Sequence, residues 1–165
     1  MASLHEDLAE YKAQLQKGAI SKAYKALMDY LMGFRTYLHN QYPEYFVSGS
    51  IYYGFMDMSY FSFSPKSIVD RKLKIAIVFL HEAFRFEVWL AGNNKQVQQN
   101  YWEMFKDTGW TQYHLVSTTK GADSILEHVL VGDPDFNDLD ALTVQIERGT
   151  LAFIQDVESF LSQRN

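Results

Sequence analysis

The stretch Leu73-Lys74-Ile75-Ala76-Ile77-Val78-Phe79-Leu80-His81-Glu82-Ala83-Phe84-Arg85-Phe86-Glu87-Val88-Trp89-Leu90-Ala91-Gly92 decides the fold class of this 165-residue chain. Two runs rich in β-branched and aromatic residues flank a short interruption, the pattern of a strand, a turn and a returning strand. With Glu82-Ala83 at the turn, Phe79 faces Phe86, Ile77 faces Val88 and Ile75 faces Leu90, so one face is wholly apolar. The other face carries Lys74, Ala76, Val78 and Leu80 opposite Ala91, Trp89, Glu87 and Arg85. Glu-Ala is not a favoured turn pair, so this register is less well supported than that of the hairpin expected before it.

That earlier hairpin begins near Phe46, where the apolar period changes from 3.6 toward 2. A two-residue turn at Tyr53-Gly54 would pair Tyr52 with Phe55, Ser50 with Asp57 and Ser48 with Ser59 on one face. Val47, Ile51, Met56, Met58 and Tyr60 would then share the other, core-facing side. Upstream, Leu4, Leu8, Tyr11 and Leu15 predict a first helix closed by Lys17-Gly18, and Ile20 to Leu38 a longer second one ending before Pro43.

Downstream of Gly92, an Asn93 or Asn94 cap starts a helix through Val97, Tyr101, Met104 and Phe105 that stops at Gly109. Trp110 to Ser117 and Ser124 to Val131 read as a further hairpin, although the second segment would also suit a helical turn. Leu139 to Phe160 forms a terminal helix after an Asp-rich start. The expected architecture is a single α+β domain over residues 1–165. Its antiparallel sheet has four to six strands built on two central hairpins, with N-terminal, intervening and C-terminal helices mainly on one face.

Composition narrows the function classes. A content of 47% hydrophobic and 16% aromatic residues supplies a core, which argues against disorder. The chain has no cysteine, so disulfides, thiolate nucleophiles and Cys-based metal sites are excluded. The net charge of −5 argues against a duplex nucleic acid partner. The first residues lack the apolar run of a secretory signal, and no segment is long enough to span a bilayer, so a cytoplasmic location is expected.

Enzyme signatures are sparse. His81-Glu82-x-x-Arg85 has the first half of a zinc-protease motif, but Arg replaces the second His and the segment reads as strand and turn, not helix. Ser117-x-x-Lys120 falls in a loop that would not fix the lysine beside the hydroxyl. No phosphate loop, dinucleotide fingerprint or nucleophile elbow is present. No cofactor or metal is expected.

What stands out is a face: Tyr52, Asp57, Lys74, Arg85, Glu87 and Trp89, with Ser48, Ser50 and Ser59, all on the side expected to point away from the core. Flat aromatic rings beside opposite charges suit a small polar ligand or a protein partner, although an ordinary solvent-facing sheet with cross-strand ion pairs would look similar. The leading expectation is therefore a non-catalytic ligand-binding or interaction module using this face. The alternative is a divergent metal-dependent hydrolase or nuclease-like enzyme using Asp57 and Glu87, in which Trp89 stands where a catalytic lysine belongs. A homo-oligomer formed through an exposed sheet edge is a third reading.

Several strings carry a family resemblance. Tyr11-Lys12-Ala13-Gln14-Leu15 with Gly18, Ala23-Tyr24-Lys25-Ala26-Leu27-Met28, and Tyr45-Phe46-Val47-Ser48-Gly49-Ser50-Ile51-Tyr52 are three of them. Arg85 to Gly92 followed by Asn94-Lys95-Gln96-Val97-Gln98 is the fourth. Together they resemble a family of uncharacterised bacterial proteins of this length. The part from Arg85 onward also resembles small α+β domains found beside nuclease-like regions, which implies an accessory fold and transfers no catalytic residue.

Overall fold

A computed structural model describes residues 1–164. The helices are α1 (Leu4–Gln16), α2 (Ala19–Gln41), α3 (Lys66–Val69), α4 (Lys95–Thr108) and α5 (Leu139–Ser162). The strands are β1 (Phe46–Val47), β2 (Met58–Ser64), β3 (Leu73–Leu80), β4 (Arg85–Gly92), β5 (His114–Leu115) and β6 (Leu126–Val131). They form one antiparallel sheet in the order β1-β2-β3-β4-β6-β5, so the fold is α+β.

The β3–β4 ladder runs from Leu73 opposite Gly92 to Leu80 opposite Arg85, the register expected from its alternation. His81 to Phe84 close it, with Phe84 in the left-handed region at φ 55°. The segments around Trp110 and Ser124 do pair, as β5 with β6, and β6 inserts between β5 and β4.

Helix ends follow local chemistry. Ser3 and Glu6 form a reciprocal capping box at the start of α1. Asn94 accepts from the Val97 N–H at 2.9 Å to begin α4, and left-handed Gly109 ends it. Asp138 accepts from the Ala141 N–H at 3.1 Å to begin α5.

The main core lies between the sheet and three helices. Leu31, Phe34 and Leu38 of α2, Phe105 of α4, and Phe153, Val157 and Leu161 of α5 pack on Phe61, Phe63, Ile75, Ile77, Phe86, Val88 and Leu90. A second cluster, Ala76, Val78 and Trp89 with Met58, Tyr60 and Leu80, contains strand residues only. Helices therefore cover one face of the sheet, and the other is roofed by its own side chains. α1 differs from the rest: it buries no residue, and its stripe residues Leu4, Leu8 and Tyr11 are exposed.

The first hairpin departs from expectation. Phe46 pairs with Ser64, Val47 with Phe63, and Tyr52 bridges to Tyr60, so there is no two-residue turn at Tyr53-Gly54. Such a turn requires its first residue in the left-handed half of backbone space, and Tyr53 is not there, whereas Gly54 and Met56 are. Polar side chains build a longer loop instead. The Asp57 carboxylate accepts from the Phe55 N–H at 2.9 Å, and the Ser59 hydroxyl donates to the Tyr53 carbonyl at 2.5 Å.

The new register inverts β2. Ser59, expected to point outward, is fully buried beside Phe61 and Phe63, while Met58 and Tyr60, expected in the core, stand on the uncovered face. Met56, also expected in the core, is exposed in the loop.

Candidate functional site

The uncovered face is organised around one buried carboxylate. Glu87, on β4, is 3% exposed, and its two oxygens are both engaged. Oε2 accepts from Arg85 Nε at 2.6 Å, and Oε1 accepts from the Trp89 indole Nε1–H at 2.9 Å. Residues two apart on a strand share a face, so the order Arg85, Glu87, Trp89 places cation, anion and indole in a row. The Arg85 side chain is 41% exposed, so the pair is half solvated on the cation side. One consequence is an indole whose edge is tied down and whose orientation is fixed.

Neighbouring strands complete the face. Tyr60 lies across β3 from Glu87, through Val78, and its ring packs in a tilted arrangement on that of Tyr52, with centroids 4.9 Å apart. The Lys74 ammonium lies 5.7 Å from the Tyr60 ring centroid, a cation–π approach. On the other side, Trp89 pairs with Glu127 of β6, and Glu127 pairs with His114 of β5. Burial, followed by the Glu87 charge, pushes the Glu127 carboxyl above the usual carboxylate range, against the opposing pull of His114, Ser124 and Arg85. Burial also raises the Tyr60 phenol, with Tyr52 and Asp123 adding to it.

Between these residues runs a cleft of about 290 Å3. Its floor is Ala76, Val78, Trp89 and Ala91; Met58, Tyr60 and Lys74 form one wall. The start of α4, with Asn94, Lys95 and Gln98, and the Ala122–Asp123 loop form the other. Gln98 welds that wall together, since its Oε1 accepts from the Gly92 N–H and its Nε2 donates to the Ala122 carbonyl, both at 2.9 Å.

Of the six residues singled out in the sequence, five share the uncovered face: Tyr52, Lys74, Arg85, Glu87 and Trp89. Asp57 does not join them. Its carbonyl accepts from the His81 N–H, which extends the β2–β3 ladder one step past Met58. That leaves it three residues and two strands from Glu87, roughly 14 Å by strand geometry alone. The carboxylates of Asp57 and Glu87 are thus not brought together. Among the described residues, no three His or acidic side chains are grouped as metal ligands.

Tyr60 is missed from sequence because a two-residue turn at Tyr53-Gly54 would send it to the core side, and the longer loop puts it on the uncovered face. The alternation of Phe61 and Phe63 against Tyr60 and Ser62 held the correction. Lys95 and Asp123 carry no local signal: they reach the cleft only because α4 starts, and the loop before β6 returns, at that end of the sheet.

Such an arrangement defines a class, an α+β domain whose antiparallel sheet has helices on one face and a shallow aromatic-charged cleft on the other. A family model described as a domain of unknown function, DUF7000, matches residues 4–161, and the chain belongs to that family. No curated protein and no solved structure matches the chain. None of the helices among the described residues is long and apolar enough to cross a membrane.

Proposed function

We propose that this domain is a non-catalytic binding module that takes a small polar ligand on the uncovered sheet face. The observation that carries this reading is the buried Glu87 carboxylate, which spends both oxygens on Arg85 and Trp89 and so holds the indole ready at the floor of the cleft. A carboxylate committed in this way is a positioning group and is ill suited to proton transfer. Pre-organisation of an aromatic surface lowers the ordering cost of binding, and such surfaces recur at ligand sites. The absence of cysteine from the sequence suits a reducing, cytoplasmic setting, which belongs to the same proposal.

Thermal-shift screening of the purified chain against a metabolite library tests it, because a ligand that binds only the folded state raises the melting temperature by mass action. Hits should be lost in Trp89→Ala and weakened in Trp89→Phe, which keeps a ring but drops the N–H. Far-UV circular dichroism of each variant establishes that folding is retained. Hits that bind both variants as well as the parent would remove the site from this face.

A further inference from the structure

We infer that the cleft selects a small planar monoanion, an aromatic carboxylate of one or two fused rings. Its ring would lie against Tyr60 and Trp89 and its carboxylate between Lys74 and Lys95. The inference rests on the reading that the uncovered face binds a ligand at all.

Charge is the first argument. In a chain of net charge −5, Lys74 and Lys95 both line this cleft, and no acidic side chain among the described residues lies within salt-bridge distance of either. Lys74 approaches the Tyr60 ring. Two lysines bordering an apolar floor form a place where an anion gains Coulomb energy and no protein carboxylate already occupies it. Asp123 is the acidic residue of the lining, so Lys74, Lys95 and Asp123 together give the lining one net positive charge. That balance suits a monoanion and disfavours a phosphate-rich ligand.

Shape and surface supply the second argument. Ala76 and Val78, buried in a cluster with Met58, Tyr60 and Leu80, back the floor of the cleft, and the indole of Trp89 is fixed by its bond to Glu87. A flat, rigid, apolar floor with one aromatic ring suits an aromatic ring laid against it. The volume of about 290 Å3 lies at the small end of ligand sites, which limits the guest to one or two rings.

The test titrates the full chain with 2-naphthoate and, in parallel, with uncharged 2-naphthamide, by calorimetry and by the indole N–H resonance of Trp89 in 1H–15N spectra. The carboxylate should bind, shift the Trp89 resonance and exceed the amide in affinity by about tenfold, the order expected for one charge-assisted contact. Lys74→Gln and Lys95→Gln, each checked for retained folding by far-UV circular dichroism, should each bring the carboxylate toward the amide, whereas Asp123→Asn should tighten it. Equal binding of the two probes, unmoved by the lysine variants, would overturn the anion inference and leave the binding face intact. Binding that leaves the Trp89 resonance unshifted and survives Trp89→Ala would overturn both. Failure of the carboxylate to bind at millimolar concentration would overturn the inference, with the metabolite screen still deciding the face.

Discussion

Trp89 donates its indole N–H to Glu87 across a 2.9 Å hydrogen bond between two residues of the same strand, and both side chains are buried on a face that no helix covers. The bond explains how a carboxylate survives there: its charge is met by Arg85 on one oxygen and by the indole on the other. Removing the acid is therefore expected to cost more than removing its charge. Glu87→Ala leaves a buried indole donor without a partner and should destabilise by about 2–3 kcal/mol. Glu87→Gln keeps an acceptor for the indole and should cost about 1 kcal/mol. Urea unfolding followed by circular dichroism reads both, and equal losses would mean that the indole bond contributes little.

Two glycines should respond to alanine with opposite signs. At Gly92 an added Cβ would lie 2.6 Å from the Gln98 backbone nitrogen and 2.8 Å from its Cα, where nothing can give without moving the start of α4. Gly92→Ala should cost about 1–3 kcal/mol by overpacking and loosen the cleft wall that Gln98 braces. At Gly149, inside α5, the Cβ meets the Leu130 side chain on β6, its flexible end Cδ2 at 2.6 Å and Cγ at 3.9 Å. Gly149→Ala gains up to about 1 kcal/mol of helix propensity and should be neutral to stabilising. Thermal melts of the two variants side by side check the contrast.

The same contrast separates what the sequence made legible from what it did not. The β3–β4 register could be read because almost every residue of both strands is buried, so that slipping by one would exchange two distinct faces. Capping by Asn94 and termination at Gly109 were legible because each acts within one turn of the chain. The first hairpin failed because Asp57 and Ser59 use their side chains on backbone groups of the loop, a competition that alternation does not record. Half of the cleft was visible as Lys74 and Trp89, with Arg85 and Glu87 as the pair that fixes the indole. Its other half, Lys95 and Asp123, depends on how α4 and the loop before β6 return to the sheet, which only tertiary packing sets.

Asp57 should prove separable from the cleft. Backbone N–H groups of Phe55 and Met58 hold its carboxyl below the ordinary range, and its side chain is turned onto the loop that leads into β2. Asp57→Ala is expected to lower the melting temperature slightly by loosening residues 53–57 and to leave ligand affinity unchanged. Loss of affinity comparable to that of Trp89→Ala would show that the loop is part of the site.

His81 gives the fold a pH dependence whose sign can be stated. Its Nε2 lies 2.9 Å from the Ser59 hydroxyl, its ring stacks on Tyr24 at 5.9 Å, and burial lowers its pKa from 6.5, against a weaker upward pull from Asp57. The unfolded chain then takes up a proton that the folded chain resists. Stability should fall as pH drops through about 6.5, and level off below the folded pKa. Glu127 works the other way: its raised carboxyl takes up a proton in the folded state first, so stability rises as pH falls toward its unfolded value of 4.5. Denaturant midpoints measured from about pH 7.5 to about pH 4.5 should show His81→Gln flattening the upper part of the curve. Glu127→Gln should remove the compensating gain in the lower part. An upper slope that persists in His81→Gln would assign it to another group.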